Sequence, residues 1–236
     1  MALPQLNDVP KYELVIPSTG KTVAYRPFLV KEQKVLLMAL ESQDEKQVLR
    51  AVTDTIKSCI IDPVKIESLA TFDVEYIFTQ LRSKSAGEKT QVNLKCSECD
   101  EYTEIEVDLN KIKIELNEDN KLVDLTDVYT LKMKYPQYSG LLLQTESTDE
   151  DTLTNAIFEM IMMCLDELRT EDDIIKFEDE SREEVEKFLE GLTTGQLEKI
   201  MNFVNNLPKL EHKVDFNCVS CNHENSLTLQ GLQDFF

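Results

Sequence analysis

Two stretches decide how this chain is read: VNLKCSECDEYTEIEV, from Val92 to Val107, and VDFNCVSCNHENSLTL, from Val214 to Leu229. Laid over each other without a gap, they match Cys96 and Cys99 with Cys218 and Cys221. Val92 falls on Val214, Leu94 on Phe216, Asp100 on Asn222, Ile105 on Leu227 and Val107 on Leu229. Apolar residues alternate on both sides of each Cys-x-x-Cys, so each stretch predicts two strands joined by a tight turn that presents two sulfurs. The residue after each second cysteine is Asp100 or Asn222, both of which tolerate the left-handed backbone such a turn needs.

Zinc takes four soft ligands at tetrahedral angles, and the two turns together supply four. The expected site is therefore one structural zinc held by Cys96, Cys99, Cys218 and Cys221 in a split, zinc-ribbon-like arrangement. Between Cys99 and Cys218 lie 118 residues. Closing a flexible loop of that length costs roughly 4 kcal/mol, against about 10–16 kcal/mol returned by a structural zinc in peptide systems. Two readings stand beside this one: knuckles without metal, and redox-active dithiols. The redox reading expects Cys-x-x-Cys to open a helix near a βαβ unit, whereas strands flank both pairs here. His223 could replace a ligand, although four cysteines already complete the shell and leave no open position for catalysis. Cys59 and Cys164 fall on apolar helical stripes, where a free cysteine packs as a small hydrophobe.

Outward from these hairpins the pattern predicts an α+β, helix-rich single domain over residues 1–236. Residues 1–28 carry an N-terminal β-hairpin, with Pro17-Ser18-Thr19-Gly20 as its turn. A helical block follows over 29–84, with Leu29, Leu36, Leu37 and Leu40 on one face and a second stripe from Val48 to Ile60. Pro63 stops that second helix, and Thr71 is the expected N-cap of a third. Residues 88–136 form a strand region with the first knuckle. An acidic helical block occupies 149–207, with one stripe running from Leu153 to Leu168 and capping patterns at Ser181-Arg182-Glu183-Glu184 and Thr193-Thr194-Gly195-Gln196. The second knuckle and C-terminal tail complete the chain over 211–236.

Net charge is −20, from 45 acidic and 25 basic residues. A polyanion would be repelled by that total, so nucleic acid is not an expected partner. From Asp149 to Glu190 there are 16 acidic residues against four basic ones. This segment is either a solvated helical face or a docking face for a basic protein. Met1 to Asp8 lacks a basic, then apolar, leader, and no apolar run approaches membrane length. The expectation is a soluble protein of a reducing compartment with no membrane partner. Ser85-Ala86-Gly87-Glu88-Lys89-Thr90 lacks the first glycine of a phosphate loop and places Glu88 between Gly87 and Lys89. With two histidines, both near the second knuckle, no histidine-based triad is indicated. No catalytic residue, substrate or organic cofactor is expected. The tail ends in Phe235 and Phe236, expected to pack on this chain's own core or to anchor in a partner.

Four segments, in order along nearly the whole chain, carry a resemblance. They are Val23 to Lys34, the Cys96–Cys99 knuckle with its following strand, Leu131-Lys132-Met133-Lys134-Tyr135-Pro136, and Phe203 to Phe236. Together they resemble the baseplate hub subunits and hub-assembly proteins of T-even-type, contractile-tailed bacteriophages. The usual Cys-Pro-x-Cys-Gly knuckle of that group is altered here, since neither copy has Pro or Gly. The resemblance implies a non-enzymatic structural or chaperone-like role in tail assembly. Its partners would be other baseplate proteins, and its location the virion tail or the host cytoplasm during assembly. The alternative from a different class is a zinc-ribbon nucleic-acid or transcription-associated module.

Overall fold

Residues 9–112, 114, 116, 121–140, 153–231 and 234 are described by a computed structural model. Leu232, Gln233 and the terminal pair Phe235 and Phe236 lie outside the described residues, as do residues 149–152 of the acidic segment. The chain gathers into two compact units. One comprises Met1–Glu115 with Lys209–Phe236, and the other Leu116–Pro208. Both mix helix and sheet, so the α+β class holds.

In the first unit, β1 (Tyr12–Val15) and β2 (Thr22–Tyr25) form the expected antiparallel hairpin. Gly20 takes φ +65° in its turn, where a side chain would be strained. Three helices follow: α1 (Val30–Glu41), α2 (Glu45–Cys59) and α3 (Thr71–Ala86). Asp44 caps α2 by accepting the Lys46 and Gln47 N–H groups at 2.9 and 3.3 Å. That helix ends before Pro63 is reached. Ile60 leaves it in extended conformation and bridges to Tyr25, which takes Ile60 out of the expected stripe. Thr71 is not the N-cap of α3 but its first residue. The capping comes from Asp73, fully buried, which accepts the Ala70 N–H at 3.1 Å and the Ser18 N–H at 2.9 Å. Burial raises the Asp73 carboxyl pKa, and these hydrogen bonds oppose the rise. Helix α1 departs most from expectation: Leu37 and Leu40 are half exposed, while Glu32 and Ala39 turn inward.

Strands β3 (Lys89–Lys95) and β4 (Tyr102–Asp108) form one hairpin, and β9 (Glu211–Asn217) and β10 (Glu224–Gln230) another. Their registers are the same after a shift of 122 positions: Val92 opposes Ile105 as Val214 opposes Leu227, and Lys95 opposes Tyr102 as Asn217 opposes Glu224. The inward faces of both hairpins meet in one apolar cluster of Val92, Leu94, Val107, Val214, Phe216 and Leu229, with Leu109, Ile112 and Leu210 beside them. Each fully buried aliphatic or aromatic side chain contributes about 1.5–3 kcal/mol, so this shared core holds the hairpins together across their sequence separation.

The second unit has its own core. Strands β5 (Leu122–Asp124), β6 (Thr130–Met133), β7 (Leu165–Arg169) and β8 (Ile174–Lys176) form an antiparallel sheet in that order. Its helices are α4 (Leu153–Cys164), α5 (Arg182–Glu190) and α6 (Thr194–Asn205). The acidic block is therefore not helical throughout, because 165–169 and 174–176 are strands. Leu165 and Leu168, three apart, fit a helix by spacing. In β7 they oppose Met133 and Leu131 instead, and Asp166 is the extra residue of a bulge that lets both leucines face inward. Both capping boxes form: Ser181 exchanges bonds with Glu184, and Thr193 with Gln196. Cys164 packs in this core and Cys59 in that of the first unit, both with no exposure. Burial pushes their thiols up, to about 12 and about 11 respectively. No helix among the described residues is long and apolar enough to cross a membrane.

Candidate metal centre

The two Cys-x-x-Cys turns are built by the same local physics. In each, the first cysteine's N–H closes the strand pair, Cys96 onto the Glu101 carbonyl and Cys218 onto the His223 carbonyl, both at 2.9 Å. Each first cysteine's carbonyl then accepts the N–H four residues on, from Asp100 at 3.2 Å and from Asn222 at 2.9 Å. Closing so tight a turn drives Asp100 and Asn222 to φ +60° and +58°, the left-handed conformation their side chains tolerate. With the turns closed, the sulfurs converge. Cys96 Sγ lies 3.7 Å from Cys221 Sγ and Cys99 Sγ lies 3.6 Å from Cys218 Sγ. All four lie within 4.8 Å of one another.

Those spacings discriminate between chemistries. A disulfide needs its sulfurs about 2.05 Å apart, and all four cysteines are free. A tetrahedron with metal–sulfur bonds of about 2.3 Å has edges of about 3.8 Å, close to the observed pairs. Among the described residues no histidine or carboxylate joins the cluster, so the donor set is four soft sulfurs. His223 is exposed, and it joins the turn through its backbone. Four cysteines in this arrangement could hold a metal ion, and the sulfur-only set suits a soft or borderline one.

The hydrogen bonds around the sulfurs are also paired. Glu98 N–H donates to Cys96 Sγ at 3.5 Å and Ser220 N–H to Cys218 Sγ at 3.4 Å. Amide donors favour the charged thiolate. The Cys99 N–H, with help from Glu98 and Asn225, lowers Cys96 to about 6. The Cys221 and Ser220 N–H groups lower Cys218 likewise. The outer pair moves the other way. Cys99 receives the Glu101 N–H, which lowers it, but its contact with Cys221, burial and the Cys218 and Cys96 thiols push it up to about 12. In Cys221 the His223 N–H and Cys99 lower the thiol, while burial and the Cys218 and Cys96 thiols raise it further.

Two residues that lock the turns together were not singled out in the sequence. Ser97 N–H donates to Asn225 Oδ1 at 3.0 Å, and Val219 N–H donates to Thr103 Oγ1 at 3.3 Å. Ser97 and Val219 are equivalent positions of the two turns, and so are Thr103 and Asn225. Each hairpin thus caps the other's turn in a reciprocal, two-fold manner. Asn225 does more, since its amide also donates to Cys96 Sγ at 3.5 Å and to the His223 carbonyl at 3.0 Å. The signal was present in the alternation: Thr103 and Asn225 are polar residues at inward positions of apolar strands, both buried.

Compared with known proteins, the chain matches no curated protein and no solved structure. A family described as T4 bacteriophage base plate protein matches it over residues 9–236. That span includes both hairpins and the segment between them, and the chain accordingly belongs to the T4-type baseplate family, a family of structural phage-tail proteins.

Proposed function

We propose that this chain is a structural or assembly component of the baseplate hub, working by protein contacts and stiffened by one zinc ion on Cys96, Cys99, Cys218 and Cys221. The observation that carries the metal half is the convergence of four sulfurs at tetrahedral spacing from turns far apart in sequence. Family membership supports the baseplate half and a non-enzymatic role, with other baseplate proteins as partners. A phosphate-binding face on the hairpins is disfavoured. Lys95 is paired with Asp100 at 2.8 Å and Lys213 with Asp215 at 3.8 Å, which leaves these cations partly neutralised.

We further propose that residues 1–236 behave as a single domain. The second unit is read as an insertion between two halves of the metal-bearing one, and calorimetry should show one unfolding transition. The acidic stretch is the proposed contact for a basic partner protein, with Glu171 to Asp173 and Glu178 to Glu180 exposed. Association with such a partner should slow as salt rises, because screening shortens the reach of the field. Elemental analysis of purified protein tests the metal, with one zinc per chain expected. Mass spectrometry of purified particles tests whether the protein stays in the virion tail or acts only during assembly in the host cytoplasm.

A further inference from the structure

Helix α1 is inside out. Its buried face carries Glu32 and Ala39, while Val30 is 79% exposed, Met38 60% and Leu37 52%. The inward anchor is polar. Glu32 accepts from the Arg26 guanidinium at 2.9 Å and from the Leu29 N–H at 2.8 Å. Arg26 in turn donates to the Ser58 carbonyl at 2.8 Å. Burial works against the Glu32 charge, but these partners outweigh it and hold the carboxyl below its ordinary range. With its inner face fixed by this ionic clasp, the helix directs Val30, Leu37 and Met38 to solvent and keeps Leu36 half-buried. A helix apolar on its outer face marks a surface that something else covers.

The charges on that face indicate what. At 3.6 residues per turn, Val30, Lys34, Leu37, Met38 and Glu41 lie along one side. Lys34 and Glu41 have no ion-pair partner among the described residues. The midpoint between them falls between Leu37 and Met38. A two-fold axis through that point lays a second α1 antiparallel on the first. Leu37 then meets the partner's Met38, and Lys34 at one end meets the partner's Glu41 at the other. A face whose apolar centre and terminal charges complement themselves under a two-fold rotation suits a second copy of itself. We infer that α1 is a self-association surface and that the chain forms an isologous dimer across Leu37 and Met38. This stands on the helix alone and depends on neither the metal nor the hub assignment.

Sedimentation velocity on the purified full-length chain, over a range of concentrations, tests the inference. The wild-type chain should show a monomer–dimer equilibrium, and Leu37→Asp should remain monomeric with unchanged circular dichroism and melting temperature. Lys34→Glu and Glu41→Lys should each weaken the dimer about tenfold or more, by placing like charges opposite each other. The double variant, which restores opposite charges at both contacts, should recover the affinity. A wild-type chain that stays monomeric throughout overturns the proposal and assigns the helix to another partner or to residues 1–8. A dimer indifferent to Leu37→Asp, or charge variants that the double change does not rescue, overturns it as well.

Discussion

The β3–β4 and β9–β10 hairpins share a register, a turn geometry and a role, yet they hold on to their surroundings differently. The first hairpin offers Thr103 to its neighbour's turn, with a single hydrogen bond to Val219. The second offers Asn225, whose amide spans the Ser97 N–H, the Ser97 hydroxyl, Cys96 Sγ and its own His223 carbonyl. Both hairpins are tied to α3 at their entry, the first by Arg82, which donates to Thr90 Oγ1 at 3.0 Å, and the second by a carboxylate. Glu75 on α3 accepts the Leu210 N–H just before β9, and burial pushes its carboxyl up to about 7. What the sulfurs require is alike in both hairpins, and what differs lies one layer further out. Ligand geometry is set by the turn itself, whereas the outer contacts need only fill space and satisfy donors, which different side chains can do.

The largest expected effect should treat the hairpins as equals. On the proposed shared zinc, Cys96→Ser and Cys218→Ser would each remove one ligand of a single ion, so each should abolish stoichiometric zinc and destabilise the protein by several kcal/mol, on the order of a third of a zinc site's total. Chelation should lower the wild-type melting temperature and leave both variants nearly unchanged. One harmless serine would break the equivalence and the shared site with it.

The next effect should separate the hairpins. Asn225→Ala strands the Ser97 N–H and removes a donor from Cys96, at a cost of about 2–3 kcal/mol. Thr103→Ala should cost about 1 kcal/mol, the value of one modest hydrogen bond. Chemical denaturation of the two variants measures the difference, and equal losses would mean that the reciprocal caps carry equal weight.

A smaller, pH-dependent effect belongs to the second hairpin alone. The Glu75 carboxyl titrates near 7 when folded, against an ordinary 4.5. The folded state therefore holds its proton more tightly. The resulting stability is complete below about pH 4.5 and is lost as pH rises through about 7. Glu75→Gln should flatten that dependence between pH 5 and 8 and raise stability at pH 8 by roughly 1–2 kcal/mol. Identical pH profiles for the two proteins would show that Glu75 is hydrated when the fold is intact. The smallest expected effect is exchange of the left-handed residues. Asp100→Asn and Asn222→Asp should shift stability by less than about 0.5 kcal/mol, since either side chain tolerates that backbone, whereas Asp100→Val should cost about 1–2 kcal/mol.

The convergence of the four cysteines was legible in the sequence because its signals are local: Cys-x-x-Cys spacing, strand alternation on both sides, and Asp or Asn where φ turns positive. The second unit was less so. Its strand at Leu165–Arg169 follows directly from the end of α4, and only its pairing with β6 and the bulge at Asp166 reveal that Leu165 and Leu168 face a sheet core. Pairing of that kind is a tertiary fact that spacing cannot encode. In α1 the leucine count suggested an inward face, but the Arg26–Glu32 clasp decides the rotation of the helix. Asn225 and Thr103 lay in between, visible as polar interruptions of an apolar alternation but without an identifiable purpose until the opposite turn was in place.

The distance along the chain between the two knuckles has a consequence in time. At synthesis rates of about 5–20 residues per second, the 118 residues between Cys99 and Cys218 take about 6–24 s to emerge. Throughout that interval Cys96 and Cys99 lack the two sulfurs that face them in the finished fold, and the inward side of β3 and β4 has no opposing hairpin to cover Val92, Leu94 and Val107. The nascent chain thus carries an exposed apolar ribbon edged with two thiols until its final hairpin arrives, so closing the site is a late event in its biogenesis, and any host factor that shields greasy nascent strands would meet this protein there.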